Sequence, residues 1–176
     1  EIKQLVEDIL VPDWKSKIYR FVLDWFNDED FILQKTSGST GSPKEMALKK
    51  KAMTASATPT LNFFQLKFGD TAWLCLPIDY IAGKMMVVRA LVGGLNLLIT
   101  EPKGTPEIPQ QPIDFTAMVP MQVKNLIAMN ADIANIKKLI IGGAEVDYAL
   151  VNALQKIKTE VFATYGMTET CSHIAL

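Results

Sequence analysis

Histidine, cysteine and net charge are all scarce in this chain. Its 176 residues include a single histidine, His173, and two cysteines, Cys75 and Cys171. These three side chains cannot complete a four-ligand zinc site, so structural zinc is excluded. Two widely separated cysteines in apolar or mixed surroundings read as reduced thiols, and the expected compartment is cytoplasmic. Charge is balanced, with 18 Lys and Arg against 19 Asp and Glu, for a net charge of −1. No basic stripe is available for nucleic acid, and no acidic tract reads as a disordered tail. No apolar run reaches the ~18 residues that a membrane-spanning helix needs. The opening Glu1-Ile2-Lys3-Gln4, followed by Glu7 and Asp8, lacks the plan of a secretory signal. Internal repeats and low-complexity segments are missing too. What remains is a chain of roughly one domain's length, long enough to bury a core, for which nucleic acid is not the expected partner.

Hydrophobic residues make up 49% of the chain, and their order is informative. Asp13 is expected to cap a helix over 15–27, with Trp14, Ile18, Phe21, Val22 and Trp25 on one face. Phe31-Ile32-Leu33 reads as a short buried strand leading into a Gly/Ser/Thr loop. A helix is expected from Lys49 to about Phe64, with Pro59 as a kink or an end. Strands follow at 72–76, 95–99, 115–119, 139–141 and 161–163, the last of the series. Helices are expected at 85–91, closed by Gly93-Gly94, and at 121–129 and 148–157. The proline-rich stretch 102–112 reads as a surface loop. Short apolar strands alternating with helices predict an α/β fold, a largely parallel sheet with helices on both faces. Ligands of such sheets bind beyond the carboxyl ends of the strands.

Three segments that follow predicted strands carry chemistry. The first is Thr36-Ser37-Gly38-Ser39-Thr40-Gly41-Ser42-Pro43-Lys44. Its glycines let backbone N–H groups approach an anion, its hydroxyls add neutral donors, and Lys44 adds a point charge. Pro43 stands where a P-loop requires its last glycine, so this is no Walker loop. Composition alone leaves open both a polyphosphate cradle and a plain turn with a solvated lysine. The second segment, Leu139 to Glu145, places Gly142, Gly143 and Ala144 after a buried strand, where a flat ring could lie against the backbone. An ordinary strand-to-helix turn is the other reading. The third is Thr164-Tyr165-Gly166-Met167-Thr168-Glu169-Thr170. Tyr165 offers an aromatic face, Gly166 permits a tight turn, Thr168 offers a hydroxyl to developing negative charge, and Glu169 offers a hard oxygen for Mg²⁺.

In this order, the segments resemble the signatures of the adenylate-forming (AMP-binding, acyl-CoA synthetase) superfamily. The first matches T-S-G-[ST]-T-G-x-P-K at every fixed position, and the third matches Y-G-x-T-E. The resemblance runs from about Phe31 to His173. It implies that Thr36, Ser37, Gly38, Ser39, Thr40, Gly41 and Lys44 hold the β- and γ-phosphates of ATP. It further implies that Gly142, Gly143, Ala144 and Tyr165 flank adenine, that Gly166 and Thr168 meet the nucleotide, and that Glu169 binds Mg²⁺. Lys44, Thr168 and Glu169 would carry catalysis. ATP, Mg²⁺ and CoA, with a small carboxylic acid, are the implied cofactor and co-substrates.

Gly166 to His173 is most similar to the o-succinylbenzoate–CoA ligases of menaquinone synthesis, which commonly follow the glutamate with Thr-Cys-Ser and then Gln or His. Phe115 to Pro120 also resembles their strand before a Val-Pro helix start. Pro77 to Gly83 aligns with P-L-x-H-x-x-G, but Tyr80 replaces the histidine, which puts that histidine's role in doubt. Tyr80, Gly83, Lys84, Arg89 and His173 are candidates for the acid pocket. Tyr80 could equally be core packing, Lys84 and Arg89 exposed cations without partners, and His173 a residue without a role. The superfamily has more parts than these 176 residues, including a ribose-binding aspartate and a C-terminal domain with a lysine for adenylation. The expectation is therefore a fragment of the large N-terminal domain that binds nucleotide weakly and does not turn over. Apolar surface meant for the missing parts would favour association, which leaves a homo-oligomer open. Another acyl- or aryl-CoA ligase and a non-catalytic nucleotide-binding module also stay open.

Overall fold

The computed structural model describes residues 11–35 and 45–175. Helix α1 (Asp13–Trp25) buries Ser16, Ile18 and Phe21, with Trp14, Val22 and Trp25 packed beside them. Its amphipathic face is the one the sequence predicts, but its cap is not. Pro12 occupies the N-cap position, and Asp13, the first helical residue, pairs with Lys17 at 3.2 Å.

Strands β1 (Phe31–Lys35) and β2 (Glu45–Lys49) form a separate antiparallel pair, Phe31 opposite Lys49 and Lys35 opposite Glu45. The expected buried strand is thus half-exposed, with Leu33 facing solvent. Residues 36–44, the first chemical segment, connect these strands and lie outside the described residues. Helix α2 (Lys50–Phe63) runs through Pro59. Thr54, Thr58 and Thr60 each return a side-chain hydroxyl to the carbonyl four residues earlier.

The remaining chain builds a five-stranded, wholly parallel sheet from β3 (Thr71–Leu74), β4 (Asn96–Ile99), β5 (Ile113–Met118), β6 (Ile136–Ile141) and β7 (Glu160–Ala163). Its order is β4-β3-β5-β6-β7. Helix α3 (Ile81–Gly93) links β3 to β4, α4 (Pro120–Ala128) links β5 to β6, and α5 (Tyr148–Leu154) links β6 to β7. The expected α/β architecture, helices on both faces of a parallel sheet, is present.

Strand periodicity divides the core in two. Ala72, Leu74, Phe115 and Ile140 join residues of α1, α2 and α3 on one face. Trp73, Cys75, Leu139 and Ile141 join residues of α4 and α5 on the other. Helix α3 is buried over Met85–Ala90 and starts a turn earlier than predicted, because Gly83 packs against the carbonyl of Pro77, where a Cβ would come within 2.2 Å. Gly94 closes it in the left-handed conformation, φ 61°. Pro120 opens α4, where the Gln122 side chain accepts the Val119 N–H at 3.2 Å. Asp147 caps α5 by accepting the Leu150 N–H at 2.9 Å.

Strand β7 is not the last. A hairpin follows, β8 (Tyr165–Met167) and β9 (Ser172–Ala175), joined by a 3₁₀ turn over Thr168–Thr170. The winding reverses between β3 and β5, since α3 carries the chain to β4 on one side and the later crossovers proceed to the other. Crevices at such reversals, beyond the carboxyl ends of the strands, receive ligands.

Candidate active site

A cleft of ≈130 Å³ opens at that reversal. Leu76 follows β3, Val119 follows β5, Gly142 and Gly143 follow β6, and Thr164 follows β7, all lining it. Gly166, Met167, Ser172 and His173 of the hairpin form the opposite wall, and Arg89 comes up from α3. Two of the three chemical segments therefore converge on one space.

Glycine is required at two points of this wall. Gly143 sits at φ 82°, a conformation that a side chain disfavours. Gly166 lies within β8, where a Cβ would fall 2.2 Å from the Ser172 carbonyl oxygen and 2.4 Å from the His173 Cα. Close strand approach, rather than the tight turn expected from sequence, accounts for Gly166. The tight turn comes five residues later at Cys171, whose φ is 61°. Thr170 stabilises it, its hydroxyl lying 2.6 Å from the Ser172 carbonyl and 2.9 Å from the Met167 carbonyl.

Arg89 has the least ordinary environment. It is 2% exposed, which corrects the alternative of an exposed cation. Its Nη2 donates to Ser172 Oγ at 2.6 Å and lies 3.4 Å from His173 Nδ1, and its Nη1 lies 3.9 Å from Met86 Sδ. Its Nε is buried without a partner, and no acid pairs with it among the described residues. Burial brings the guanidinium well below its ordinary value, to about 10. Burial, then the Arg89 charge, hold His173 down to about 4, so its ring is neutral near pH 7. A buried cation with no counter-charge among the described residues, lining a largely apolar cleft, is an arrangement for an anion.

The other pocket candidates lie elsewhere. Tyr80, exposed, and Lys84 border an open groove of ≈840 Å³ between α1 and β1. Lys84 donates to the Leu33 carbonyl at 2.8 Å, and burial lowers its pKa. Gly83 is packed under Pro77. Tyr165 and Glu169 are exposed, Thr168 is half-buried and Ala144 is exposed beyond the cleft's glycines. No group of three or more His, Cys, Asp or Glu side chains gathers among the described residues. One exposed carboxylate suits Mg²⁺, which takes one or two protein carboxylates together with phosphate and water, better than it suits a metal caged by protein alone. Thr36, Ser37, Gly38, Ser39, Thr40, Gly41 and Lys44 fall outside the described residues. No described helix is long and apolar enough to cross a membrane.

Two contributors escaped the sequence reading. Ser172, adjacent to His173, was within the quoted run but was not singled out. Thr60, whose hydroxyl lies 3.2 Å from His173 Nε2, gave no signal, because a threonine in a helix is unremarkable until its neighbour is known. Arg89 did leave a trace: Met85, Met86, Val87, Val88, Ala90 and Leu91 surround it in sequence, with no acid at helical spacing to pair it.

Comparison with known proteins agrees with this architecture. Residues 21–176 match the family described as AMP-binding enzyme, and the chain belongs to that family. A 2-succinylbenzoate–CoA ligase of Staphylococcus epidermidis is 31% identical over 148 residues, 78% of this chain and 30% of that protein. An indoleacetate–CoA ligase of Aromatoleum aromaticum is 27% identical over 146 residues, 77% of this chain and 28% of that protein. An acyl-CoA synthetase (AMP-forming)/AMP-acid ligase II-like protein of Dyadobacter fermentans superposes with a TM-score of 0.87 at 34% identity, covering 98% of this chain and 51% of that one. The o-succinylbenzoate CoA synthetase of Bacillus subtilis, solved with ATP and magnesium, shares the fold at a TM-score of 0.69 and 22% identity, covering 81% of this chain and 31% of that one. The chain spans about 30% of the length of these curated relatives.

Proposed function

We propose that this chain supplies the ATP- and acid-binding part of an AMP-forming acid–CoA ligase, and that its acid is aromatic with a second carboxylate, as in o-succinylbenzoate. The observation that carries the reading is Arg89, buried and with no acid partner among the described residues, in a cleft between the Gly142-Gly143 turn and the β8–β9 hairpin. An acid with one carboxylate must present it to ATP and has nothing left for a buried guanidinium. A second carboxylate supplies the missing counter-charge, with charge-assisted hydrogen bonds. The cleft's ≈130 Å³ is below the ~300 Å³ of ordinary ligand pockets, which suits the inner end of an acid rather than a whole adenylate.

In this reading the reacting carboxylate oxygen forms a bond to the α-phosphorus of ATP, and the bond from that phosphorus to the bridging oxygen breaks. Pyrophosphate leaves with the electron pair. The CoA sulfur then attacks the acyl carbonyl, its proton passes to solvent, and AMP departs. The first step needs alignment and charge stabilisation more than acid–base chemistry. Lys44 and the hydroxyls of Thr36, Ser37, Ser39 and Thr40 hold the leaving phosphates, while Thr168 donates to the α-phosphate. Glu169 would hold Mg²⁺, which when bound screens the charge on the phosphates. Tyr165 covers the adenine ring beside Gly142, Gly143 and Ala144.

ATP–pyrophosphate exchange on the whole protein tests this, comparing o-succinylbenzoate with indoleacetate, benzoate, a fatty acid and an amino acid. The dicarboxylate should be preferred, and Arg89→Met should remove the preference. Stronger exchange with indoleacetate would favour an aryl monoacid, a reading that the Aromatoleum relative supports. ATP binding without exchange for any acid would leave a nucleotide-binding module.

A further inference from the structure

We propose that His173 and Thr60 are positioning residues, forming a neutral relay that aims the Arg89 guanidinium into the cleft while leaving its charge free for the ligand. The proposal rests on the acid-binding reading of the cleft for its purpose, but not for its geometry.

Donor and acceptor chemistry determines the relay's direction. A guanidinium has hydrogens to give and no lone pair to accept with. Arg89 Nη2 carries two hydrogens and faces two atoms, Ser172 Oγ at 2.6 Å and His173 Nδ1 at 3.4 Å. With a donor on that side, the relay takes Nδ1 as acceptor and puts the ring proton on Nε2; the Ser172 hydroxyl, 3.5 Å from Nδ1, can donate to the same lone pair. That N–H meets Thr60 Oγ1 at 3.2 Å. The Thr60 hydroxyl hydrogen is then directed to the Ser56 carbonyl, 3.4 Å away within α2. The chain of donors runs from α3 through β9 to the backbone of α2 in one consistent sense. A protonated imidazole would break it, placing an N–H against an N–H.

Neutrality is what gives the arrangement a purpose. An aspartate or glutamate in place of His173 would orient Arg89 at least as firmly, through a charge-assisted bond. It would also neutralise the cation and compete with an incoming carboxylate. Serine, histidine and threonine hold the group by hydrogen bonds alone. Arg89 is the charge acting on the His173 ring among the described residues, and burial together with that charge favours the neutral form. Thr60 is itself buried, 2% exposed, so its hydroxyl is reserved for these partners rather than for water.

His173 is the single histidine of the chain, which makes the test direct. Two-bond ¹H–¹⁵N spectra of the protein near pH 6, without ligand, should show one neutral imidazole with the proton on Nε2. A proton on Nδ1, or an imidazolium at that pH, overturns the relay whatever acid the cleft accepts. Calorimetric titration with o-succinylbenzoate and benzoate then reads its consequence. Thr60→Val and His173→Leu should each weaken o-succinylbenzoate about 10-fold and benzoate by less than about 2-fold, as expected when a bond to a charged group loses its orientation. Thr60→Ser restores the hydroxyl. His173→Gln restores both an acceptor for Arg89 and a donor for Thr60, so both variants should return affinity to within about 2-fold. Equal losses for the two acids, or no rescue, overturn the positioning role. If the spectra show the predicted tautomer while wild-type protein binds both acids equally, the dicarboxylate reading fails and the relay stands.

Discussion

Replacing Arg89 with methionine should make the protein more stable and cost it its anion. The guanidinium sits at about 10 in the fold, well below its ordinary value, because burial opposes its charge. At about 1.36 kcal/mol for each tenfold change in proton affinity, the buried cation costs the fold roughly 3 kcal/mol. The unfolded chain binds this proton more tightly than the folded one does. The cost is therefore fully present below pH 10 and fades only as pH rises from 10 towards the ordinary guanidinium range. Methionine follows the same unbranched path and fills much of the same space, beside Met86 and the cleft wall. It leaves Ser172 and His173 without their donor, which offsets the gain by about 1 kcal/mol. The net is about 2 kcal/mol of stabilisation, or a rise in Tm of roughly 4–8 °C for a chain of this size. Thermal unfolding followed by circular dichroism at pH 7 without ligand measures it, alongside titration with o-succinylbenzoate, whose binding should disappear. A fall in Tm of several degrees would refute the reasoning. It would mean that the cation is already matched by a charge in the fold, and that Arg89 serves structure rather than ligand.

Gly166→Ala should lower Tm by several degrees, since overpacking costs about 1–3 kcal/mol and the new Cβ would meet backbone atoms of Ser172 and His173 at 2.2–2.6 Å. Acid affinity should fall with it, because β9 carries both partners of Arg89; an unchanged melting curve would show that the hairpin is not packed as described. His173 is held down to about 4, so between pH 6.5 and 4 the unfolded chain takes up a proton that the folded chain refuses. Stability should therefore be lost as pH falls through that window, and His173→Gln should flatten this part of a denaturant-midpoint profile against pH. Cys75, fully buried and pushed up to about 12, should resist alkylation by iodoacetamide until global unfolding, with its modification rate following denaturant concentration. Fast labelling under native conditions would contradict its burial just after β3, on the sheet face covered by α4 and α5.

Much of the layered architecture was legible because strand and helix periods are local. Ala72 to Leu76, Phe115 to Val119 and Leu139 to Ile141 read as short apolar runs between turn residues, and each falls in the parallel sheet or at its end. Boundaries were less legible. Helix α3 begins at Ile81 rather than Met85 because Pro77 and Gly83 interlock. Strand β2, Glu-Met-Ala-Leu-Lys, is made of helix-forming residues and became a strand only by pairing with β1. Strands β8 and β9 are too short to show an alternation, and their pairing depends on backbone contact at Gly166.

Composition and order alone determined the α/β layering and the family, because apolar period and the spacing of glycines, hydroxyls and charges are properties of neighbouring residues. Tertiary structure decided which candidates share a space. It brought Arg89, Ser172, His173 and Thr60 together from α3, β9 and α2 and left Tyr80 and Lys84 in a separate groove. Burial and the direction of a hydrogen bond arise from contacts between segments as many as 113 positions apart. No local pattern of residues encodes them.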